Sequence, residues 1–326
     1  MNPELSAIVC TLNQAGYLRK VLGSLRAQTL PREAYEVIVV DNGSTDATRP
    51  TVESFADMGN LLYVFDPVPG LSHARNTGWR RARGEIVAYL DDDAVAGPDW
   101  LARLRHAYRT LQPTPACVGG RVLPIWEAEK PSWVDRELEH HLSAVDWLRP
   151  AMFLDEDGLY LHGSNVSYLR SVLEESGGFP PGLGRKGDCL LSNEEIWMQA
   201  FLRSRGRPIR YDPEIVVQHH VKARRLTRSW FYKRFFWQGV SDVLLEIEVS
   251  AWRGGHGPRR RDLWKELMRT GRDFVGGVNL IVTGKGAVAG RCRIHRGLGR
   301  IASTILPGPA REGFSALRRA RNIEGR

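Results

Sequence analysis

The N-terminal third of the chain repeats one pattern, and that pattern restricts the possible folds more than any other feature. A short apolar run breaks off at polar residues, and apolar positions at helical spacing follow. Strands are predicted at Ser6–Leu12, Glu36–Val40, Leu61–Phe65 and Ile86–Leu90. A helix from Tyr17 would bury Leu18, Val21, Leu22 and Leu25, with Asn13 as its cap. Thr45 and Asp46 would cap a second helix reaching about Phe55, and a third is expected over Leu71–Arg83. Pro98 suits the first turn of a fourth, which places Trp100, Leu101, Leu104, Tyr108 and Leu111 on one face. Cys117–Val122 would be a fifth strand. Such alternation implies an α/β fold with a mostly parallel, doubly wound central sheet flanked by helices.

The strand ends matter most for function. The first ends at Thr11 and Asn13, the second at Asp41, and the fourth at Asp91, Asp92 and Asp93. Polar groups at the carboxyl ends of adjacent parallel strands converge on one crevice, where open α/β sheets bind ligands. Three adjacent carboxylates repel one another, and a cation would relieve that cost. Oxygen donors suit Mg²⁺ or Mn²⁺, ions that commonly also hold phosphates.

Beyond Leu123 the regular alternation stops. Residues 123–160 read as an irregular excursion with one short helix near Val134–Ala144. His162-Gly163-Ser164-Asn165 falls at a strand boundary, and Ser171–Ser176 is a short helix stopped by Gly177-Gly178. Phe179–Leu191 has the Gly- and Pro-rich composition of a mobile loop carrying Arg185 and Lys186. Asn193 is expected to cap a helix running to Arg205, with Ile196, Trp197, Ala200 and Phe201 buried. Glu194 and Glu195 fall in its first turn, where acids also complement the helix dipole. Short strands at Ile209–Tyr211 and Ile215–Gln218 lead to His219-His220, and an aromatic-rich helix follows over Leu226–Glu248.

These segments together resemble inverting glycosyltransferases of family 2, which have the GT-A fold. The likeness covers roughly residues 5–245 and rests on ordered motifs: Ile8-Val-Cys-Thr-Leu-Asn13, Val39-Val-Asp-Asn-Gly-Ser-Thr-Asp46, Gly70-Leu-Ser-His-Ala-Arg-Asn-Thr-Gly78, Asp91-Asp-Asp93 and Ser192-Asn-Glu-Glu-Ile196. The resemblance implies a GT-A-like (Rossmann-like) domain over residues 1–225, with a nucleotide-sugar half at 1–122 and an acceptor half at 123–225. A helical, basic region would occupy 226–326. It implies that Thr11, Asn13 and Asp41 hold a nucleoside, and that Arg75 approaches the ribose or diphosphate with Asn76 supporting its loop. Asp91 and Asp92 would lie at the nucleotide-sugar. Asp93 would be the main ligand of Mn²⁺ or Mg²⁺, helped by Asp91 and by His219 or His220. Glu195 aligns with the general base, although the family more often has a Glu-Asp pair where this chain has Glu194-Glu195. His162, Asn165 and Trp197 would border the acceptor.

The implied activity is metal-dependent hexosyl or N-acetylhexosaminyl transfer. The donor would be a nucleotide-sugar, most often UDP-linked, and the acceptor a glycan, lipid-linked intermediate or secondary metabolite. A catalytically silent nucleotide-sugar-binding or scaffold subunit is the alternative that the Glu-Glu pair leaves open. A nucleotidyltransferase would want a basic Gly-rich loop after the first strand, which Leu12-Asn-Gln-Ala-Gly16 does not supply.

Charge separates the two regions. Residues 251–326 hold 17 Lys and Arg against 5 Asp and Glu, and residues 1–250 hold 29 against 32. With Leu263, Trp264, Leu267 and Phe274 among the bases of 259–275, the tail resembles a basic amphipathic helix suited to an anionic membrane surface. No nucleic-acid-binding motif is present, and nucleic acid is not an expected partner. Cys10, Cys117, Cys189 and Cys292 are too scattered for a zinc site or disulfide framework. With no signal sequence and no apolar run of about 18 residues, a cytoplasmic protein is expected, either free or peripheral on the inner face of the membrane. The terminal Ile323-Glu-Gly-Arg326 matches a protease-site tag and is set aside from fold reasoning.

Overall fold

A computed structural model of the chain describes residues 2–154, 158–252, 260–283 and 286–305. The side chains of 260–267 and 305 also lie outside what is described. Arg259, Arg261, Leu263, Trp264 and Leu267 of the expected amphipathic segment, and Ile323–Arg326, therefore fall outside the described residues. The contacts divide the protein into two compact units, Met1–Asp188 with Glu194–Leu226, and Cys189–Asn193 with Thr227–Arg326.

The first unit is built on one mixed sheet. Its elements in order are β1 (Leu5–Thr11), α1 (Ala15–Arg26), β2 (Tyr35–Asp41), α2 (Thr48–Glu53), β3 (Leu61–Phe65), α3 (Leu71–Arg81) and β4 (Ile86–Asp91). Then follow β5 (Ala94–Ala96), α4 (Trp100–Thr110), β6 (Cys117–Trp126), α5 (Arg136–His140), β7 (Met152–Phe153), β8 (Asn165–Leu169), α6 (Arg170–Ser176), α7 (Glu194–Ser204) and β9 (Ile209–Val221). The strand order is β3-β2-β1-β4-β8-β6-β9-β5, with β7 against β9. β1 to β4 pair in parallel, while β8 runs antiparallel between β4 and β6. The apolar runs of β1, β2 and β4 are buried on both faces, as a helix-covered sheet requires. Leu18, Val21, Leu22 and Leu25 of α1 and Trp100, Leu101 and Leu104 of α4 pack in the same core cluster.

Three local expectations are corrected. Asn13 does not cap α1; its φ is +55°, and the Ala15 N–H at the start of α1 donates to Asp46 Oδ2 at 3.0 Å. The two short strands predicted at Ile209–Tyr211 and Ile215–Gln218 are one strand, β9, which includes His219 and His220. Asp212-Pro-Glu214 reads as a turn but lies in a bulge: Gly120 pairs with Asp212 and Arg121 with Val216. On α7 the buried face is Trp197, Met198, Phe201 and Leu202, while Ile196 and Ala200 are only half-buried.

The second unit comprises α8 (Arg228–Trp252), α9 (Arg260–Val282), α10 (Ala287–Ile305) and the segment Cys189–Asn193. Leu191 packs on Trp237 and Val240 of α8. The Ser192 N–H donates to Ser241 Oγ at 3.0 Å. Asn193 has φ +77°, and its side-chain amide bonds Gln238 at 3.0 Å and Asp242 at 3.3 Å. Asp242 is held in turn by Arg296 at 2.6 Å and Arg300 at 2.7 Å of α10. Among the described residues, no helix is long and apolar enough to cross a membrane.

Candidate active site

The parallel register brings the polar strand ends together. Thr11 pairs with Asp41 across β1 and β2, and Cys10 pairs with Asp91 across β1 and β4. Asp41 is 1% exposed and both of its oxygens are engaged. Oδ1 accepts from the Ser44 N–H at 2.8 Å and Oδ2 from the Tyr63 hydroxyl at 2.7 Å. Asn13 Oδ1 accepts from the Thr45 N–H at 2.8 Å, and the Asn13 N–H donates to Ser44 Oγ at 2.9 Å. Asn13 and Asp41 thus shape the loop at 42–46 that rims the crevice, and Thr11 is buried at its floor.

The three carboxylates of the triplet have different surroundings. Asp91 is half-buried and lies 3.5 Å from Arg75 Nη2. Asp92 accepts from the Leu12 N–H at 3.3 Å; burial, and next the Asp93 charge, raise its carboxyl to about 7. Asp93 is 4% exposed. It faces His219 Nε2 at 3.1 Å, Lys222 Nζ at 3.2 Å and Arg225 Nη2 at 3.4 Å. Burial alone would raise the Asp93 carboxyl, but His219, Arg225 and Lys222 hold it far below the usual range. One ligand atom each from Asp91, Asp93 and His219 lie within 4.8 Å of one another. Two carboxylates and an imidazole, with one carboxylate kept ionised and a buried His219 Nδ1 that has no hydrogen-bond partner among the described residues, fit a divalent cation of the Mn²⁺ or Mg²⁺ type. His220 turns to other partners: its Nδ1 lies 3.1 Å from Glu127 and its ring meets Tyr17 edge-on.

Arg75 joins this cluster to the acids of α7. It is 2% exposed, so it is not a solvated helix residue. Nη1 donates to Glu194 Oε1 at 2.9 Å and Nη2 to the Gly163 carbonyl at 3.1 Å. The guanidinium lies over the edge-to-face pair of the Tyr89 and Phe179 rings. Burial opposes its charge, and Glu194, Asp91 and Glu195 more than offset that. A Cβ on residue 163 would meet Arg75 Nη2 at 2.7 Å, which explains the glycine there. Asn76 fixes the loop after α6, bonding both the N–H and the carbonyl of Phe179 at 2.8 Å.

The two adjacent glutamates are therefore distinct. Glu194 is 4% exposed and held by Arg75. Glu195 lines a cavity of about 380 Å³ together with Glu137, His140, Trp147, Tyr160 and His162. Burial, and next the Glu194 charge, raise the Glu195 carboxyl to about 8. Of the residues expected at the acceptor, His162 lines this cavity. Asn165 does not; its amide is taken by Trp100, Arg121 and Ile215. Trp197 is 6% exposed and stacks on Phe201.

Three cations at the site were not foreseen as functional residues. Lys222 and Arg225 were legible only as bases downstream of His219-His220. Arg185 read as loop composition, yet its carbonyl accepts from the Leu71 N–H at 2.8 Å, which ties the loop to the start of α3. Its Nη1 is buried with no hydrogen-bond partner among the described residues. Burial, and next the Arg225 charge, lower its guanidinium to about 10.

Comparison with known proteins gives the family and the fold. Residues 6–177 match the family model "Glycosyl transferase family 2". The glucosyl-dolichyl phosphate glucuronosyltransferase of Haloferax volcanii is 30% identical over 257 residues, 75% of this chain and 78% of that one. A mannosyltransferase from Pyrobaculum calidifontis, solved in complex with GDP-Man and Mn²⁺, shares the fold with a TM-score of 0.57 at 23% identity, over 99% of this chain and 81% of that one. TarS 1-349 of S. aureus, solved in complex with UDP, gives 0.51 at 21% identity over 74% and 65%. The two-acid, three-carboxylate crevice thus sits on a GT-A fold, and the chain belongs to glycosyl transferase family 2.

Proposed function

We propose that this glycosyltransferase transfers a sugar, with inversion, from a nucleotide-sugar to an acceptor hydroxyl, and that Glu195 is the general base. One observation carries the assignment: of the two adjacent acids, Glu194 is neutralised by Arg75, while Glu195 lines the cavity with a raised pKa. A base near neutrality can take the acceptor's proton as the hydroxyl attacks the anomeric carbon. The nucleoside would lie against Thr11, Asn13 and Asp41, in the crevice outside the strand ends. Asp91, Asp93 and His219 would hold Mn²⁺ or Mg²⁺, which when bound neutralises charge on the leaving diphosphate. Lys222 and Arg225 keep Asp93 ionised, and Arg185 offers an anionic donor its Nη1, which has no hydrogen-bond partner among the described residues. Arg75 positions Glu194 and Asp91 from beneath rather than meeting the donor itself.

A UDP-linked donor is favoured by the UDP complex of the TarS neighbour, and GDP by the Pyrobaculum neighbour. The cavity at Glu195, with its aromatic and imidazole walls, suits a hydroxyl-bearing sugar ring as acceptor. The name of the Haloferax relative favours a lipid-linked one.

Calorimetry with UDP, dTDP and GDP, with and without Mn²⁺, tests the donor side on wild type and Asp93→Ala. Metal-dependent binding of one nucleotide, lost in the variant, is expected. Glu195→Gln should keep that binding and lose transfer. Wild-type transfer by Glu195→Gln would sink the base assignment.

A further inference from the structure

Helix α9 of the second unit carries an apolar stripe that its fold leaves uncovered. Met268 is 62% exposed, Val275 72%, Val278 50% and Val282 78%. At 3.6 residues per turn these four fall within an arc of about 80°, with the exposed Gly271 inside it. The opposite side of α9 packs on α10: Thr270 is buried, and a Cβ on residue 277 would meet the Gly290 carbonyl at 2.6 Å. Exposed Arg272, Asn279 and Thr283 flank the stripe on one side. The acid of this stretch, Asp273, turns inward to Arg300 at 3.4 Å. Among the described side chains of the helix, this face therefore presents apolar groups and the positive charge of Arg272 without a carboxylate.

We propose that α9 docks this stripe on an anionic lipid bilayer, lying in the plane of the interface. The chemistry of the surface selects that occupant. Short aliphatic side chains can enter the boundary between headgroups and acyl chains, while Arg272 beside them meets a lipid phosphate. A second copy of this chain fits poorly, because residues 251–326 carry 17 Lys and Arg against 5 Asp and Glu and would face their own charge. The attachment is peripheral, since no described helix is long and apolar enough to span a bilayer. This inference stands apart from the transfer chemistry and is tested without activity.

The test is co-sedimentation of the full chain with vesicles of phosphatidylcholine alone and of phosphatidylcholine mixed with phosphatidylglycerol. Pelleting with the mixed vesicles, weakened by salt, is expected. Val275→Asp and Val282→Asp should each weaken it by about tenfold or more, because each removes an aliphatic group that the lipid would bury and places a carboxylate at an anionic surface. Arg272→Gln should weaken it less and reduce its salt dependence. Circular dichroism and melting of the variants should match wild type, because these positions are exposed. No pelleting of wild type, or equal pelleting of the Val275→Asp/Val282→Asp chain, overturns the proposal. So does a wild-type dimer in solution that the same double variant converts to monomer, which assigns the stripe to a second copy.

Discussion

Arg75→Met tests the core of the site most directly. The substitution keeps much of the stem's volume over Tyr89 and Phe179 and removes only the charge and its donors. Glu194, 4% exposed, then has no cation at 2.9 Å. Removing one partner of a buried ion pair costs about 3–5 kcal/mol, because the other charge stays desolvated. The Gly163 carbonyl loses its donor as well, so a loss of about 4 kcal/mol in urea unfolding near neutral pH is expected. Glu194→Gln in the same chain removes the stranded charge and should recover about 2 kcal/mol in a double-mutant cycle. A loss under about 1 kcal/mol, or a cycle with no coupling, would refute the buried-pair account.

Further outcomes are expected at the neighbouring groups. The kcat/KM of wild-type transfer should rise with pH through about 8, the value to which burial and Glu194 bring Glu195, and a profile flat from pH 5 to 9 would contradict that role. Glu195→Gln should also stabilise the fold more at pH 9 than at pH 5. A raised carboxyl pKa means that wild-type stability is lost as pH climbs from the ordinary Glu range through the raised value. Asp93→Asn should weaken Mn²⁺ binding and lower stability together, since it leaves Lys222 and Arg225 facing each other without the carboxylate, as calorimetry and melting would show. Arg185→Ala should raise KM for the donor by about tenfold with a smaller change in stability, because a single charge-assisted bond is worth about 1.5–3 kcal/mol.

Much of the first unit could be read from the chain, because doubly buried strands announce themselves as unbroken apolar runs and end at their polar residues. β1, β2 and β4 fall within a residue or so of their predicted limits for that reason, and β3, a partly exposed edge strand, matches its limits through its apolar sequence alone. The bulge in β9 defeated the reading because Asp212-Pro-Glu214 has the composition of a turn, and only the partner strand reveals that the ladder resumes beyond it. The convergence of Thr11, Asp41 and the triplet was legible for the same reason as the strands. The division of labour between Glu194 and Glu195 was not, because it depends on Arg75, 119 positions away from Glu194. Lys222 and Arg225, more than a hundred positions from Asp93, carry no local signal that they neutralise it.

The segment Cys189–Asn193 has a consequence for how such proteins can be recombined. The backbone leaves the first unit at Asp188, joins the helices at Cys189, and returns at Glu194, directly before the acid assigned as base. Asn193 holds a left-handed conformation with its amide bound to Gln238 and Asp242, and Asp242 depends on Arg296 and Arg300. A chain cut at residue 226 would retain this loop without its amide partners and with Leu191 stripped of Trp237 and Val240. Residues 189–193 must therefore be inherited together with the helices, and a chimera that exchanges the helices of one relative for another should fail unless it also carries across residues 189–193.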